Sequence, residues 1–103
     1  MLEASWGGDN TLAIVRSDQV AIEYPVGTPI VTRTSGSLRY LRVSRDGNAI
    51  AFRENPSSGD TRGRVVIADR HGKVIAQSAE YPDVEGIAWH GDVVATLAKG
   101  PTL

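Results

Sequence analysis

Apolar residues in this chain come in short runs cut by turn residues, and no run keeps helical spacing. The longest stretch free of glycine and proline, Asp9 to Tyr24, is the clearest case. From Val15 the helical partners are Asp18, Gln19 and Ile22, which gives no continuous apolar stripe. The stretch divides better into two β runs, Thr11 to Arg16 and Gln19 to Tyr24, split by Ser17-Asp18. In the second run Val20, Ile22 and Tyr24 alternate with Ala21 and Glu23, which predicts a half-buried strand. Further strands are expected at Thr28–Thr34, Ala49–Phe52, Arg64–Asp69, Lys73–Ser78, Val84–Trp89 and Val93–Leu97. Asp46-Gly47 and His71-Gly72 sit where hairpins would turn, because glycine accepts positive φ. No segment predicts a helix, so the expected class is all-β.

The strands also recur. Trp6, Val43 and Trp89 each precede a polar turn and then a short apolar strand. These anchors lie 37 and 46 residues apart in the numbering, which brackets the roughly 40–45 residues of a four-stranded propeller blade. Two further strands fit between successive anchors. The pattern predicts a β-propeller fragment of about two and a half four-stranded antiparallel blades. Blade 1 covers about 1–36, blade 2 about 37–83, and a half blade 84–103. A β-sandwich is the competing architecture, since it too carries short strands at regular spacing.

Composition narrows the function classes. The chain has 103 residues, room for one domain, and no cysteine, so disulfides and zinc ribbons are excluded. Eleven basic against twelve acidic residues leave no basic footprint for nucleic acid. The first residues lack the basic start and apolar run of a signal peptide. No apolar stretch approaches the roughly 18 residues of a membrane-spanning helix. A soluble chain is the expectation; the compartment stays open, because an exported protein need not contain cysteine, with the cytoplasm favoured.

Ser44-Arg45-Asp46-Gly47-Asn48-Ala49-Ile50-Ala51-Phe52 resembles the repeat signature of TolB-like, WD-repeat-like (PD-repeat) propellers, with Arg45 where the family carries proline. Tyr24-Pro25-Val26-Gly27, Arg42-Val43-Ser44, Pro56–Gly59 with Asp60 and Arg62-Gly63, and Val65–Asp69 with Gly72 extend the resemblance. Gly86-Ile87-Ala88-Trp89 is similar to the opening of a next blade. Together they look like the propeller region of some bacterial serine/threonine kinases and transcriptional regulators. The resemblance implies a sensing or interaction platform without chemistry of its own. Gly7-Gly8-Asp9-Asn10 and Gly91-Asp92 depart from it, standing in for the longer family turn.

Chemistry finds little purchase. Ser35, His71 and Asp69 could name a triad, yet Ser35 lies in a Ser-Gly-Ser loop without a nucleophile elbow. His71 and His90, with Asp69 or Asp92, sit in separate hairpins and are not expected to converge on a metal. Neither Gly7-Gly8 nor the Gly59–Gly63 loop has phosphate-cradle spacing or a following helix. No enzyme activity and no cofactor are expected. Trp6 and Trp89 could form an aromatic platform, but packing between adjacent blades is the simpler role. Asp46 and Asp69 are expected to accept backbone hydrogen bonds in their turns. The longest polar connection, 53–64, offers the candidate binding loop: Arg53, Glu54, Asp60, Arg62 and Arg64. Its alternative role is a solvated hairpin with internal ion pairs. The expected partners are further copies of the chain closing a ring, the rest of a larger propeller, or a protein bound through the loops.

Overall fold

The computed structural model describes residues 2–7, 11–16, 20–56, 62–91 and 93–99. Ten strands and no helix occur among them. They form three antiparallel sheets, each running in chain order. Sheet 1 contains β1 (Leu2–Trp6), β2 (Leu12–Arg16), β3 (Ala21–Glu23) and β4 (Pro29–Thr32). Sheet 2 contains β5 (Ser37–Val43), β6 (Ala49–Asn55), β7 (Arg64–Asp69) and β8 (Val74–Gln77). Sheet 3 is the hairpin of β9 (Asp83–His90) and β10 (Val93–Lys99).

Sheet 2 is covered on both faces. Because side chains alternate across a strand, Ile50 and Phe52 of β6 face one way and Ala51 and Arg53 the other. Ile50, Phe52, Val66 and Ala68 join Ala13, Val15, Ile22 and Val31 of sheet 1, and Tyr24 just after β3, in one core. Ala51 and Val65 join Val84 and Ile87 of sheet 3 in a second, with Ile67, Trp89 and Val94 half-buried against it. Strands buried on both faces read as continuous apolar runs rather than alternating ones, as Ala49–Phe52 and Val65–Ala68 do.

The same logic corrects the expectation for 19–24. Ala21, Ile22 and Glu23 are all buried, so β3 is not half-exposed. Glu23 is accommodated because its carboxylate accepts from Arg16 Nε (2.5 Å) and from the Gly27 N–H (2.8 Å). Val20 precedes the strand at φ +46°, as a turn residue rather than a strand member. Two strands the pattern showed only through their last residues, β1 and β5, run back from Trp6 and Val43. In β5 the register with β6 slips between Arg39 and Arg42, where Tyr40 has φ +58°. This bulge turns Leu41 fully into the core.

The two glycine turns form where expected. Gly47 (φ +77°) donates to Ser44 O and Gly72 (φ +89°) to Asp69 O. Gly72 is needed for a second reason: a Cβ there would lie 1.9 Å from Ile30 O, so the β7–β8 turn abuts β4 of sheet 1. Tyr24 Oη donates to Gly47 O across the same interface (2.8 Å).

Phe52 lies at 0 % exposure between sheets 1 and 2. Phe52→Ala is expected to lose about 3–5 kcal/mol of unfolding free energy in a denaturant titration. An unchanged midpoint would contradict the packing.

Candidate functional site

Four of the five residues of the predicted binding loop fall among the described residues. Arg53 is a correction: β6 extends through Asn55, which places Arg53 inside a sheet at 2 % exposure rather than on a loop. Its guanidinium donates to Ser37 Oγ (3.0 Å) and lies 5.6 Å from the centre of the Tyr40 ring. Sequence reasoning placed it outside because an arginine following Phe52 resembles the polar end of a strand. Glu54, also in β6, binds Arg33 of the segment after β4. Arg62 and Arg64 each approach Glu80 at 3.9 Å. Asp60 lies outside the described residues. The four described residues thus serve internal contacts, and the exposed pairs at Glu80 contribute little to stability.

A groove lies instead between sheet 2 and the β9–β10 hairpin, with a volume of about 530 Å³. Trp89, Ile67 and Ile75 line its apolar part, and the turn Ser44-Arg45-Asp46 forms its polar rim. It exists because two strands of sheet 3 cover only part of a four-stranded sheet. Ile75 on β8 is left 62 % exposed, and all four residues of β8 are exposed. A smaller hollow of about 270 Å³ continues along β8 past Ala76, Ser78 and Tyr81. Trp89 is fixed over the groove by its indole: Nε1–H donates to Arg42 O at 3.0 Å.

That bond belongs to a set of three that no local motif announces. Strand β5 is the edge of sheet 2, so part of its backbone has no strand partner. Leu41 N–H donates to Glu3 Oε1 (2.5 Å) and Val43 N–H to Ser5 Oγ (3.1 Å), both from β1. With Trp89 on Arg42 O, side chains of the two flanking sheets satisfy three consecutive positions of that edge. Glu3 and Ser5 could have been suspected only from polar residues alternating into the core face of β1.

The rim carboxylate is committed to structure. Asp46 Oδ1 accepts the Asn48 N–H (3.0 Å) and the Ser44 hydroxyl (2.7 Å), and these bonds hold its pKa below the ordinary value. Asp69 accepts N–H groups from Lys73 (3.0 Å) and His71 (2.8 Å), with the same effect. Glu23 is lowered by the Gly27 N–H and by Arg16. His71 occupies the β7–β8 turn, Ser35 the β4–β5 turn and His90 the end of β9, and Asp92 lies outside the described residues. No cluster of three or more metal-ligating side chains occurs among the described residues. No helix among them is long and apolar enough to cross a membrane. Family models, curated proteins and solved structures give no match to this chain.

The lowered carboxylates predict acid sensitivity. A carboxyl whose folded pKa lies below its unfolded value stabilises the fold above about pH 4, and loses that contribution as pH falls through the folded value. The thermal midpoint should therefore drop on acidification below about pH 4–5. The double variant Asp46→Asn, Asp69→Asn, which keeps side-chain acceptors in both turns, should show a shallower drop. Identical acid profiles would contradict the assignment.

Proposed function

We infer that the chain is a run of β-propeller blades acting as a non-catalytic binding or scaffolding module. One observation carries this reading: three antiparallel sheets stack in chain order through their faces, with first strands β1, β5 and β9 linked edge to edge by side chains. Successive meanders whose innermost strands adjoin are the construction of a propeller, whereas a sandwich closes with two sheets. The likeness of Ser44–Phe52 to TolB-like and PD-repeat propellers points the same way, toward a sensing or interaction role. The side chains that could carry catalysis are engaged in turns, notably Asp46 and Asp69.

The groove under Trp89 is the binding surface of this reading. It joins an apolar floor to a rim of backbone and side-chain polar groups, the usual make-up of a site for a peptide or small molecule. Self-assembly without any ligand is the second reading, and the exposure of Trp6 at 65 % favours it.

Nuclear magnetic resonance with a library of short apolar peptides and small aromatic fragments tests the binding role. Bound members should shift the Trp89 Nε1–H resonance together with the amides of Ala49 and Ile75. The shifts should vanish in Ile75→Asp, a change at an exposed position that leaves the fold intact. Shifts scattered away from the groove, or none at all, would count against it.

A further inference from the structure

Most arginines of this chain meet a partner side chain. Arg16 pairs with Glu23, Arg33 with Glu54, and Arg62 and Arg64 approach Glu80. Arg53 donates to Ser37 Oγ beside the Tyr40 ring, and Arg70 lies 5.4 Å from the centre of the Tyr24 ring. Three others stand apart, on one strand and its turn. Arg39 and Arg42 of β5 and Arg45 of the β5–β6 turn are all exposed, and none pairs with a carboxylate among the described residues. Arg42 Nη1–H donates to Leu41 O (2.7 Å), a bond within its own strand that leaves its charge uncompensated.

The bulge of β5 decides where these charges point. In an unbroken strand, residues three apart face opposite sides of the sheet. Here the register slips between Arg39 and Arg42, so Arg39 pairs with Arg53 and Arg42 with Ala51. Arg53 and Ala51 lie two apart in β6 and share the face toward sheet 3, so their cross-strand partners share it too. The slip also sets Arg39 directly opposite the like charge of Arg53, a pairing that lowers stability. Arg45 continues the row on the same side, where it lines the groove with Ile67 and Trp89. The carbonyl of Arg42 holds the Trp89 indole (3.0 Å). Row and groove therefore form one surface.

Charge sets what this surface can accept. Among the described residues lining the groove, only Arg45 and Asp46 are charged. Asp46 accepts from the Ser44 hydroxyl and the Asn48 N–H inside its turn, which leaves Arg45 to set the sign of the groove. A matching ligand is apolar where it meets Trp89, Ile67 and Ile75, and negative beside Arg45, Arg42 and Arg39. Successive arginines are three residues apart, roughly 10 Å along an extended chain, a spacing that carboxylates on an extended peptide can follow. Nucleic acid fits less well, since it calls for a broad basic footprint and the chain carries 11 basic against 12 acidic residues.

We propose that the β5 arginines and the groove under Trp89 together bind an acidic, extended peptide segment of a partner protein. Its carboxylates lie along Arg39, Arg42 and Arg45, and an apolar side chain beside them enters the groove against Trp89. Exposed charges of this kind select the partner and speed its association more than they add affinity. This proposal rests on the groove reading above, and it adds the chemistry of the partner.

Fluorescence anisotropy with a labelled synthetic peptide of glutamates ending in phenylalanine tests it on the whole chain. Each of Arg39→Gln, Arg42→Gln and Arg45→Gln should weaken binding about two- to fivefold, and the triple variant at least about tenfold. Binding by the wild type should also weaken as salt rises. All variants should keep the wild-type β circular dichroism, and Arg39→Gln should not lower the thermal midpoint, since it removes a like charge opposite Arg53. A lysine peptide of the same design and an oligouridylate should both fail to compete. Absence of binding, equal affinity of wild type and triple variant, or stronger binding of the oligouridylate would overturn the proposal. In those outcomes, neutral aromatic fragments that still shift the Trp89 Nε1–H resonance show that the groove reading stands without an acidic partner. Fragments that leave it unmoved would take the groove reading down as well.

Discussion

Sheet 2 is apolar on both faces, and the rest of the molecule is arranged around the need to cover it twice. Phe52 and Ala51 are neighbours in sequence, yet they enter different cores because β6 presents opposite sides to sheets 1 and 3. A sheet of this kind cannot stand alone in water: each uncovered Leu, Ile, Val or Phe forfeits about 1.5–3 kcal/mol of burial. The cover on one side is a full four-stranded sheet and on the other a two-stranded hairpin. The mismatch leaves β8 exposed and creates the groove under Trp89. Groove and fold thus have one origin.

Strand edges impose the second constraint. Each sheet presents its first strand to its neighbours, and an unpaired backbone edge either recruits another strand or must be satisfied otherwise. Here Glu3, Ser5 and Trp89 supply the partners for Leu41, Val43 and Arg42 of β5. These bonds fix the sliding position of one sheet against the next, a choice that apolar packing alone leaves loose. The Tyr24 hydroxyl on Gly47 O and the close approach of Gly72 to Ile30 lock the same interface elsewhere.

Much of the fold was legible because local signals agreed with tertiary ones. Ala49–Phe52 and Val65–Ala68 were continuous apolar runs, and Asp46-Gly47 and Asp69–Gly72 carried their own turn chemistry. What could not be read was set by distant partners. Arg53 looked like a loop residue, since nothing nearby announces that Ser37 and Tyr40 receive its guanidinium. Strand β5 hid behind its bulge, which breaks the alternation of Ser37–Val43 at Tyr40. Ala21–Glu23 alternated in sequence but not in burial, because Arg16 pairs with the one charged member and the Gly27 N–H donates to it. The candidate site was the least visible feature. The groove is lined by residues from β7, β8, β9 and the β5–β6 turn, which no local pattern links.

Native-state hydrogen exchange tests most directly the claim that sheet 2 depends on cover from both sides. The amides of Ile50, Phe52, Val66 and Ala68 should be the slowest to exchange, opening only with global unfolding. Ile22→Ala in sheet 1 and Ile87→Ala in sheet 3 should each speed exchange in β6 and β7. Undiminished protection of β6 and β7 after either substitution would mean that sheet 2 is stable without that neighbour, and would contradict the account.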